Sequence, residues 1–422
     1  MKYANIGWQE TVRGKKAAVN LGDNLQFLAI DYLYHKMGIK DITYLNMSQA
    51  ASYRGEKLTL PLNWTLFDAN YMSGEFLNIS KDIQPVFLGM TICSREEERF
   101  FNKENIAYLN ANGPVGCRDA YTYQKLSQYG INAYLNGCVT ITLPKRKKPG
   151  KKLFLADAPI ELKSAVEEHL GTEYECISQQ VYLELKGDCT KPGEIAARHY
   201  RYILENAAAV VTSRLHIASP CAALGIPVLF ARKKVDIRFG WIDRLIKLYA
   251  ENEFSGIDWN LKAASFEEAK QMILENDIRR IDGGNDAGEN EKISRFFSER
   301  MRREYDSFAN SLADIDKLKE YIHREWDKKS RIRYVLWGLN GTAEKIYHYI
   351  AEEFPLAEIA GVIDDYKEEE FYGVRCVAHR NARIEDAYYV LVTAVAASNA
   401  AYGFFGERER MFLLGDVFVQ GK

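Results

Sequence analysis

The sequence predicts an α/β protein built from two Rossmann-like halves, a charged helical segment and a third, smaller Rossmann-like domain. Three observations predict this class. Short apolar runs alternate with helically spaced stretches in the first part of the chain, charged residues dominate the middle, and a strand–glycine turn–helix–strand pattern begins at Arg331. The predicted domain ranges are 1–148, 149–262, 263–330 and 331–422.

The first half, residues 1–148, alternates helical and extended patterns. Apolar residues recur at helical spacing over 25–37, whereas 84–89 and 132–135 are short apolar runs that predict strands. A basic, proline-bounded stretch follows at 144–152. Because no aromatic residues interleave its lysines, we interpret this stretch as a solvated linker and not as a nucleic-acid surface.

The second half, residues 149–262, repeats the alternation. We predict strands at 153–156, 174–177 and 207–211 and helices at 160–170 and 192–209. Two α/β halves joined by one linker, with a cleft between them, form the GT-B-like (glycosyltransferase-B-like) arrangement. In open α/β sheets, ligands bind at the carboxyl ends of the strands.

Two later stretches need a choice between structures. Residues 265–329 have helical, highly charged patterns that are interrupted at 282–285. Acids and bases mix throughout 289–329 without a clean heptad, so we predict a solvated or bridging helical segment there and not a coiled coil. The uncharged stretch 387–406 is long enough for a membrane span, but its polar residues and alanines predict a buried strand followed by a turn.

The third domain opens in the order strand, glycine turn, helix, strand and acid, which is the dinucleotide-binding order. Gly338, Asn340 and Gly341 form the predicted turn, and Asp364 ends the second strand. The glycine pattern is incomplete. Binding of NAD or another nucleotide at these four residues therefore stands beside a structural or oligomerisation role.

The composition argues against several classes of protein. The 422 residues carry a net charge of −2, so no overall electrostatic field attracts nucleic acid. Seven cysteines are scattered without a Cys-x-x-Cys pair, which argues against a disulfide framework and a structural zinc site. With no N-terminal signal pattern, the expected location is the cytoplasm or the inner face of the membrane.

The segment 212–227 carries the strongest functional signal. It lies between the apolar runs 207–211 and 226–230, which predicts a polar turn and a short helix between two strands. Arg214 and His216 stand in that turn. Arginine binds carboxylate or phosphate through a planar fork of donors, and histidine transfers protons near neutral pH. The pair therefore predicts a site that holds a small anion and protonates it.

This Arg-x-His segment resembles the signature of the polysaccharide pyruvyl transferases. Four other segments are similar to that family, namely 19–26, 113–126, 136–140 and 238–245. The third of them lacks the acid that is more common in the family. The resemblance covers about residues 1–249 and implies the GT-B-like fold. It also implies that phosphoenolpyruvate gives its enolpyruvyl group to hydroxyls of a glycan sugar, forming a pyruvate ketal and releasing phosphate.

The resemblance and the chemistry together suggest roles for individual residues. His216 is the candidate general acid, Asp23 the candidate base, and Arg214 the candidate clamp on the donor. Further donor contacts are predicted for Ser213, Arg118, Lys233, Lys234 and Arg238. Gly22, Asn24 and Trp241 are predicted on the acceptor side or in the adjoining loop. No metal or cofactor is expected to be required, because arginine and lysine supply positive charge.

Each assignment has a structural alternative. These are a packed His216, a surface ion pair for Arg214, a helix N-cap for Asp23, an ion pair between Arg118 and an acid such as Asp119, a solvated loop for the lysines and a buried Trp241. Ser213 is expected mainly to cap the helix that follows it.

Two other functions stay open from the sequence. One is a GT-B-type glycosyltransferase that uses a nucleotide sugar, and the other is a non-catalytic protein whose last domain senses a nucleotide. The basic stretch 227–243 favours a compact dianionic donor. The expected partners are that donor, a glycan or lipid-linked sugar acceptor, and a second copy of the chain. Peripheral contact with a membrane is compatible with them, whereas a transmembrane span and a nucleic-acid partner are not expected.

Overall fold

A computed structural model describes residues 2–6, 16–45, 47–63, 79–184, 191–298, 305, 312–367 and 369–421. The chain divides into two compact units, Met1–Phe308 with Val419–Lys422, and Ala309–Phe418. The predicted α/β class is confirmed in both units. The four predicted domain ranges stay a prediction, and the helices of the charged segment are divided between the two units.

The first unit contains thirteen described strands and ten described α-helices. The strands are β1 Lys2–Ile6, β2 Lys16–Asn20, β3 Ile42–Leu45, β4 Leu58–Leu62, β5 Ile83–Phe87, β6 Val115–Cys117, β7 Ala133–Leu135, β8 Lys152–Ala156, β9 Tyr174–Ile177, β10 Gln180–Glu184, β11 Ala207–Thr212, β12 Val228–Arg232 and β13 Leu248–Ala250. The helices are α1 Leu21–Lys36, α2 Met47–Ser52, α3 Glu97–Phe100, α4 Lys103–Ala111, α5 Ala120–Gln128, α6 Lys163–Leu170, α7 Lys191–Asn206, α8 Leu215–Ala223, α9 Glu267–Ile281 and α10 Ala287–Ser298.

Two parallel sheets organise this unit. One has the order β3-β1-β4-β5 and the other β13-β12-β11-β8-β9, and every pair in both sheets is parallel. Parallel sheets are covered on both faces, which favours buried strands such as β4. All five residues of β4 are buried. The carboxyl ends of β8, β11 and β12 lie side by side, because these three strands are neighbours.

The two predicted halves of this unit contribute to one small sheet and to one hydrophobic core. Strand β2 pairs antiparallel with β10, and the amide of Leu21 donates to the carbonyl of Gln179. At the start of α1, Leu21 packs with Ala196 of α7. One continuous core contains Ile30 of the first half and Ala222 of the second. Helix α1 is therefore held by residues from both halves, which fixes its N-terminus relative to β11.

One face of helix α9 is buried. Asp277 on that face is fully buried and accepts a hydrogen bond of 2.8 Å from Nδ2 of Asn136. Arg280, one turn later, donates to the carbonyl of Pro114 at 2.9 Å. Burial raises the pKa of Asp277 to about 7, although Asn136 and Arg280 act in the opposite direction.

Replacing Asp277 with asparagine is expected to flatten the pH dependence of stability. Since the folded pKa is about 7 and an ordinary aspartate titrates near 3.9, the folded state binds more protons between those values, and stability falls as pH rises through them. The wild-type protein is expected to lose about 2–3 kcal/mol of unfolding free energy through this group between pH 5 and 8. Urea unfolding at both pH values measures the loss. Asp282→Asn, at an exposed position after the same helix, is the control, and an unchanged pH slope in Asp277→Asn would contradict the assignment.

The second unit is a smaller α/β structure. Its elements are α11 Leu312–Trp326, β14 Ile332–Trp337, α12 Gly341–Glu353, β15 Ala357–Ile363, β16 Glu370–Phe371, β17 Val374–Val377, β18 Tyr389–Val392, α13 Ser398–Phe405 and β19 Met411–Leu413. The sheet order is β16-β17-β15-β14-β18-β19, with only β16 antiparallel among the described strands. Numbered along the chain, the parallel strands have the order 3-2-1-4-5, as in a doubly wound sheet.

The uncharged stretch 387–406 forms strand β18 and then helix α13, so the prediction of a strand was right and that of a simple turn was wrong. Within the part of the chain that the structure describes, no helix is both long enough and apolar enough to cross a bilayer.

Candidate active site

The candidate site of the first unit lies where the ends of β8 and β11 meet the start of α1. Asp157 follows β8 directly, and the Ser213–His216 turn follows β11. Gly22 faces this turn so closely that a Cβ atom on it would lie 3.0 Å from Cβ of His216 and 3.0 Å from Oε1 of Gln179. A larger residue at position 22 would push the helix away from the turn, which explains the need for glycine there.

Asp23 lies in the first turn of α1, and Asn20 caps that helix. The side-chain oxygen of Asn20 accepts from the amide of Gly22 at 3.0 Å, and its Nδ2 donates to Oδ2 of Asp23 at 3.2 Å. The N-cap alternative for Asp23 is therefore wrong. Burial raises the pKa of Asp23 to about 6, against the lowering effect of Arg118, Asn20 and Arg238. A carboxyl group that titrates close to neutral pH is well matched to a general base.

The backbone carbonyl of His216 accepts a hydrogen bond, whereas one nitrogen of its ring has no hydrogen-bond partner among the described residues. Gln179 donates from Nε2 to the carbonyl of His216 at 2.9 Å. The Nε2 atom of His216 is buried and has no hydrogen-bond partner among the described residues. Burial, with further contributions from Arg118 and Arg238, lowers the pKa of His216 to about 3. The imidazole is therefore neutral in the free protein at pH 7, and a negative charge beside it would favour its protonation.

Arg214 is anchored by Asp157, which the sequence prediction missed. Nε of Arg214 donates to Oδ2 of Asp157 at 2.8 Å, and the amide of Gln179 donates to the same oxygen at 3.1 Å. Asp157 is only 3% exposed and adopts a left-handed backbone with φ of 49°. Aspartate tolerates this conformation better than most residues. The ion pair foreseen for Arg214 exists, but its partner is a buried carboxylate and not a surface one.

The cap predicted for Ser213 is wrong. Its hydroxyl donates to the carbonyl of Asp157 at 2.7 Å, and Arg214 is the N-cap residue of α8 without a side-chain cap. The carbonyl of Ser213 accepts from Nη1 of Arg232 at 3.0 Å. Ser213 thus ties the end of β11 to the end of β8, and a contact between Ser213 and a donor stays a prediction.

Arg118 is a buried cation behind α1. It is 3% exposed, its Nε donates to Oγ1 of Thr91 at 3.0 Å, and its Nη1 lies 3.5 Å from Oε1 of Gln26. The carboxylate of Asp119 accepts from the amide of Thr122 and so caps α5. Because Arg118 influences the pKa of both Asp23 and His216, its guanidinium belongs to the same site.

Arg238 also belongs to this group by its effect on the pKa of Asp23 and His216. Its Nε and Nη2 donate to the two carboxylate oxygens of Asp236 at 2.9 and 2.7 Å. Lys233 donates to Oε1 of Glu161 at 2.6 Å. Lys234 is exposed, as the solvated-loop alternative foresaw.

All three residues predicted on the acceptor side or in the adjoining loop, Gly22, Asn24 and Trp241, are buried. Trp241 is 2% exposed and packs edge-on against Phe297, with ring centroids 6.5 Å apart, so its face cannot stack on a sugar in this structure. Asn24 is 2% exposed, and its Nδ2 has no hydrogen-bond partner within the described ranges.

The nucleotide-binding candidates of the second unit already contact other residues of the same domain. A Cβ on Gly338 would lie 2.4 Å from Cβ of Ala394. Asn340 caps α12 by accepting from two amides, at 2.8 and 3.1 Å. Oδ2 of Asp364 accepts from the amide of Leu339 at 2.8 Å. The backbone amides of Leu339, Thr342 and Ala343 thus already have hydrogen-bond acceptors within the domain. Nucleotide binding at this turn stays a prediction.

The fold and the site together define an α/β protein in which arginine, histidine and carboxylate side chains gather at strand ends. The family model for polysaccharide pyruvyl transferase matches residues 20–231, and the chain belongs to this family. The matched range includes Asp23, Arg118, Asp157, Arg214 and His216. Membership places the chain among transferases whose acceptor is a polysaccharide sugar.

Comparison with solved structures gives only distant likenesses. An uncharacterized protein of Klebsiella pneumoniae is 16% identical, with a TM-score of 0.34, over 55% of this chain and 84% of its own. Staphylococcus aureus MnaA in complex with UDP is 13% identical, with a TM-score of 0.31, over 76% of this chain and 97% of its own. Both TM-scores are below 0.5, so neither likeness is evidence for fold or function. The search of curated proteins found no significant match.

Proposed function

We propose that the protein transfers the enolpyruvyl group of phosphoenolpyruvate to two hydroxyls of a glycan sugar, forming a pyruvate ketal and releasing phosphate. Family membership supports a pyruvyl transfer. The single observation that carries the proposal is the Nε2 atom of His216, which is buried without a partner among the described residues. Burial, and after it the charges of Arg118 and Arg238, lower the pKa of this ring. An anion that enters this site supplies both a partner for Nε2 and the charge that favours imidazolium.

The arginines bind the donor in this proposal. Arg118 is buried and provides positive charge next to His216, while Arg214 and Arg238 are about a quarter exposed and are oriented by Asp157 and Asp236. Guanidinium groups bind carboxylate and phosphate through a planar fork of N–H donors, which is the role proposed for these side chains. Lys233 and Lys234 are weaker candidates, because one is paired with Glu161 and the other is exposed.

The reaction then needs one acid and one base. His216, protonated in the presence of the donor, gives its proton to the methylene carbon of phosphoenolpyruvate, and positive charge develops at C2. Asp23 accepts the proton of the attacking sugar hydroxyl, which forms the first C–O bond at C2. The second hydroxyl attacks C2 as the phosphate leaves, and its proton leaves with the phosphate. In the donor, one C–H bond and two C–O bonds to the sugar form, while the C=C π bond and the C–O bond to phosphate break.

The broader setting belongs to the same proposal. We propose that the two halves of the first unit form a GT-B-like pair that shares this site, as the contacts of α1 with both halves would allow. A lipid-linked acceptor, peripheral contact with the inner face of the membrane, a cytoplasmic location and self-association stay predictions.

Phosphoenolpyruvate is expected to stabilise the wild-type protein. At a concentration of one hundred times Kd, mass action raises the free energy of unfolding by about 2.7 kcal/mol, which a thermal-shift titration and calorimetry both measure. Arg118→Gln is expected to lose most of this response. Arg295→Gln is the matched control, because Arg295 is an exposed residue paired with Glu291 on α10. A wild-type protein that responds to a nucleotide sugar and not to phosphoenolpyruvate would instead support a glycosyltransferase.

A further inference from the structure

Gln26 is a polar residue in the buried part of α1. Its neighbours in sequence, Leu25 and Phe27, are both core residues, and Gln26 itself is 0% exposed. Its Nε2 has no hydrogen-bond partner in the described part of the chain. A buried amide without a partner is unfavourable, and such groups in native proteins call for an explanation.

The orientation of this amide follows from its neighbours. The backbone amide of Val139 donates to Oδ1 of Asn63 at 3.0 Å, so Nδ2 of Asn63 must face the other way. That Nδ2 donates to Oε1 of Gln26 at 2.9 Å. Nη1 of Arg118 approaches the same oxygen at 3.5 Å. Both groups that approach this oxygen are hydrogen-bond donors, so the oxygen and nitrogen of the Gln26 amide cannot be exchanged. Its Nε2 is therefore the atom that has no acceptor among the described residues.

The unused Nε2 belongs to the group of atoms around His216. Gln26 contacts Arg118, and the charge of Arg118 acts on Asp23 and on His216. Nε2 of Gln26 and Nε2 of His216 are thus two buried nitrogens without described partners, as is Nδ2 of Asn24, and Arg118 contacts Gln26 and acts electrostatically on His216. Structural packing does not require both to be left unbonded, whereas a ligand with several anionic oxygens would bond to both.

We propose that Gln26 is a donor-binding residue whose Nε2 donates to an anionic oxygen of the donor, next to Arg118. The inference rests on the proposed function and adds a residue to it. A neutral amide adds a hydrogen-bond donor without adding charge, so it orients a carboxylate or phosphate that Arg118 attracts. Both unused nitrogens are closed to solvent. The proposal therefore requires the side chains that cover these nitrogens to move when the donor binds.

The test is calorimetric binding of phosphoenolpyruvate, inorganic phosphate and pyruvate to the wild type, Gln26→Met, Gln26→Glu and the control Leu25→Met. Gln26→Met keeps the side-chain length and removes the amide, and we expect a rise of about tenfold or more in Kd. Its Tm is expected to fall as well, because Nδ2 of Asn63 and Nη1 of Arg118 lose an acceptor, and Leu25→Met gives the reference for a change of packing alone. Gln26→Glu is expected to weaken binding further, because its carboxylate neutralises Arg118 and repels the donor. Whichever of phosphate and pyruvate loses affinity identifies the end of the donor that Gln26 contacts.

The outcomes separate this inference from the proposed function. If phosphoenolpyruvate binds the wild type and Gln26→Met equally well, the role of Gln26 is wrong and the proposed function stands. If the wild type binds phosphate but not phosphoenolpyruvate, and Gln26→Met weakens phosphate binding, Gln26 lines an anion site and the proposed donor is wrong. If the wild type binds none of the three probes, both are wrong. A large fall in the Tm of Gln26→Met with unchanged Kd would assign Gln26 a structural role only.

Discussion

Replacing His216 with glutamine is expected to lower kcat by about two to four orders of magnitude, the usual contribution of a positioned general acid. Glutamine keeps a hydrogen-bonding side chain but cannot become a cation that gives up a proton. The backbone bond from Gln179 to the carbonyl of residue 216 is unaffected, so the turn is expected to keep its shape. Phosphate release from phosphoenolpyruvate in the presence of a glycan acceptor measures the rate.

The control for this variant is His35→Gln, since His35 is exposed in the last turn of α1, at the end opposite to Gly22. Thermal unfolding of both variants shows whether the fold is retained. A folded His216→Gln variant with wild-type kcat would remove His216 from the mechanism. A variant with unchanged kcat and a raised KM would instead assign His216 to donor binding alone.

Replacing Arg214 with alanine is expected to lower the free energy of unfolding by about 3 kcal/mol, in addition to any loss of donor binding. Asp157 is 3% exposed, and without Arg214 its carboxylate would be left as a buried charge with one backbone amide. Removal of one partner of a buried ion pair typically costs about 3–5 kcal/mol. We expect the lower end, because the side chain of Arg214 is 28% exposed and water reaches the gap.

The double variant Asp157→Asn with Arg214→Gln separates stability from binding. With both charges removed, the free energy of unfolding is expected to be higher than in Arg214→Ala and closer to that of the wild type. The affinity for phosphoenolpyruvate is expected to stay low. Urea unfolding and calorimetry measure the two quantities. Arg295→Ala removes an exposed ion pair and is the reference for a surface arginine, which typically contributes less than about 1 kcal/mol. Equal losses of unfolding free energy in Arg214→Ala and Arg295→Ala would show that the pair of Arg214 with Asp157 stabilises the fold no more than an exposed ion pair does.

The sequence alone predicted those parts of the fold and site that depend on local patterns. The apolar runs before Asp157 and Arg214 identify β8 and β11, and the Arg-x-His turn lies at the end of β11 as predicted. The helical spacing after Gly22 identifies α1, although that helix begins earlier, at Leu21. Local patterns succeed here because strand and helix periodicities are properties of neighbouring residues.

The remaining features depend on partners that are distant in sequence. Ser213 has the residue type of a cap, but the carbonyl of Asp157 competes for its hydroxyl. Trp241 is buried because α10 places Phe297 against it. Two signals were present but unused. An acid directly after an apolar strand pointed to Asp157, and a glutamine between core residues of a helix pointed to Gln26.

The pairing of β2 with β10 has a consequence for how the protein is made. The residues that complete the site, from Asp23 to Arg238, are brought together only after β10, β11 and the segment beyond β12 have left the ribosome. At about 5–20 residues per second, synthesis of the intervening chain takes on the order of ten seconds or more. Until β10 has been made, the strand Lys16–Asn20 lacks its partner, and an unpaired strand is the kind of surface that associates with other chains and that chaperones protect.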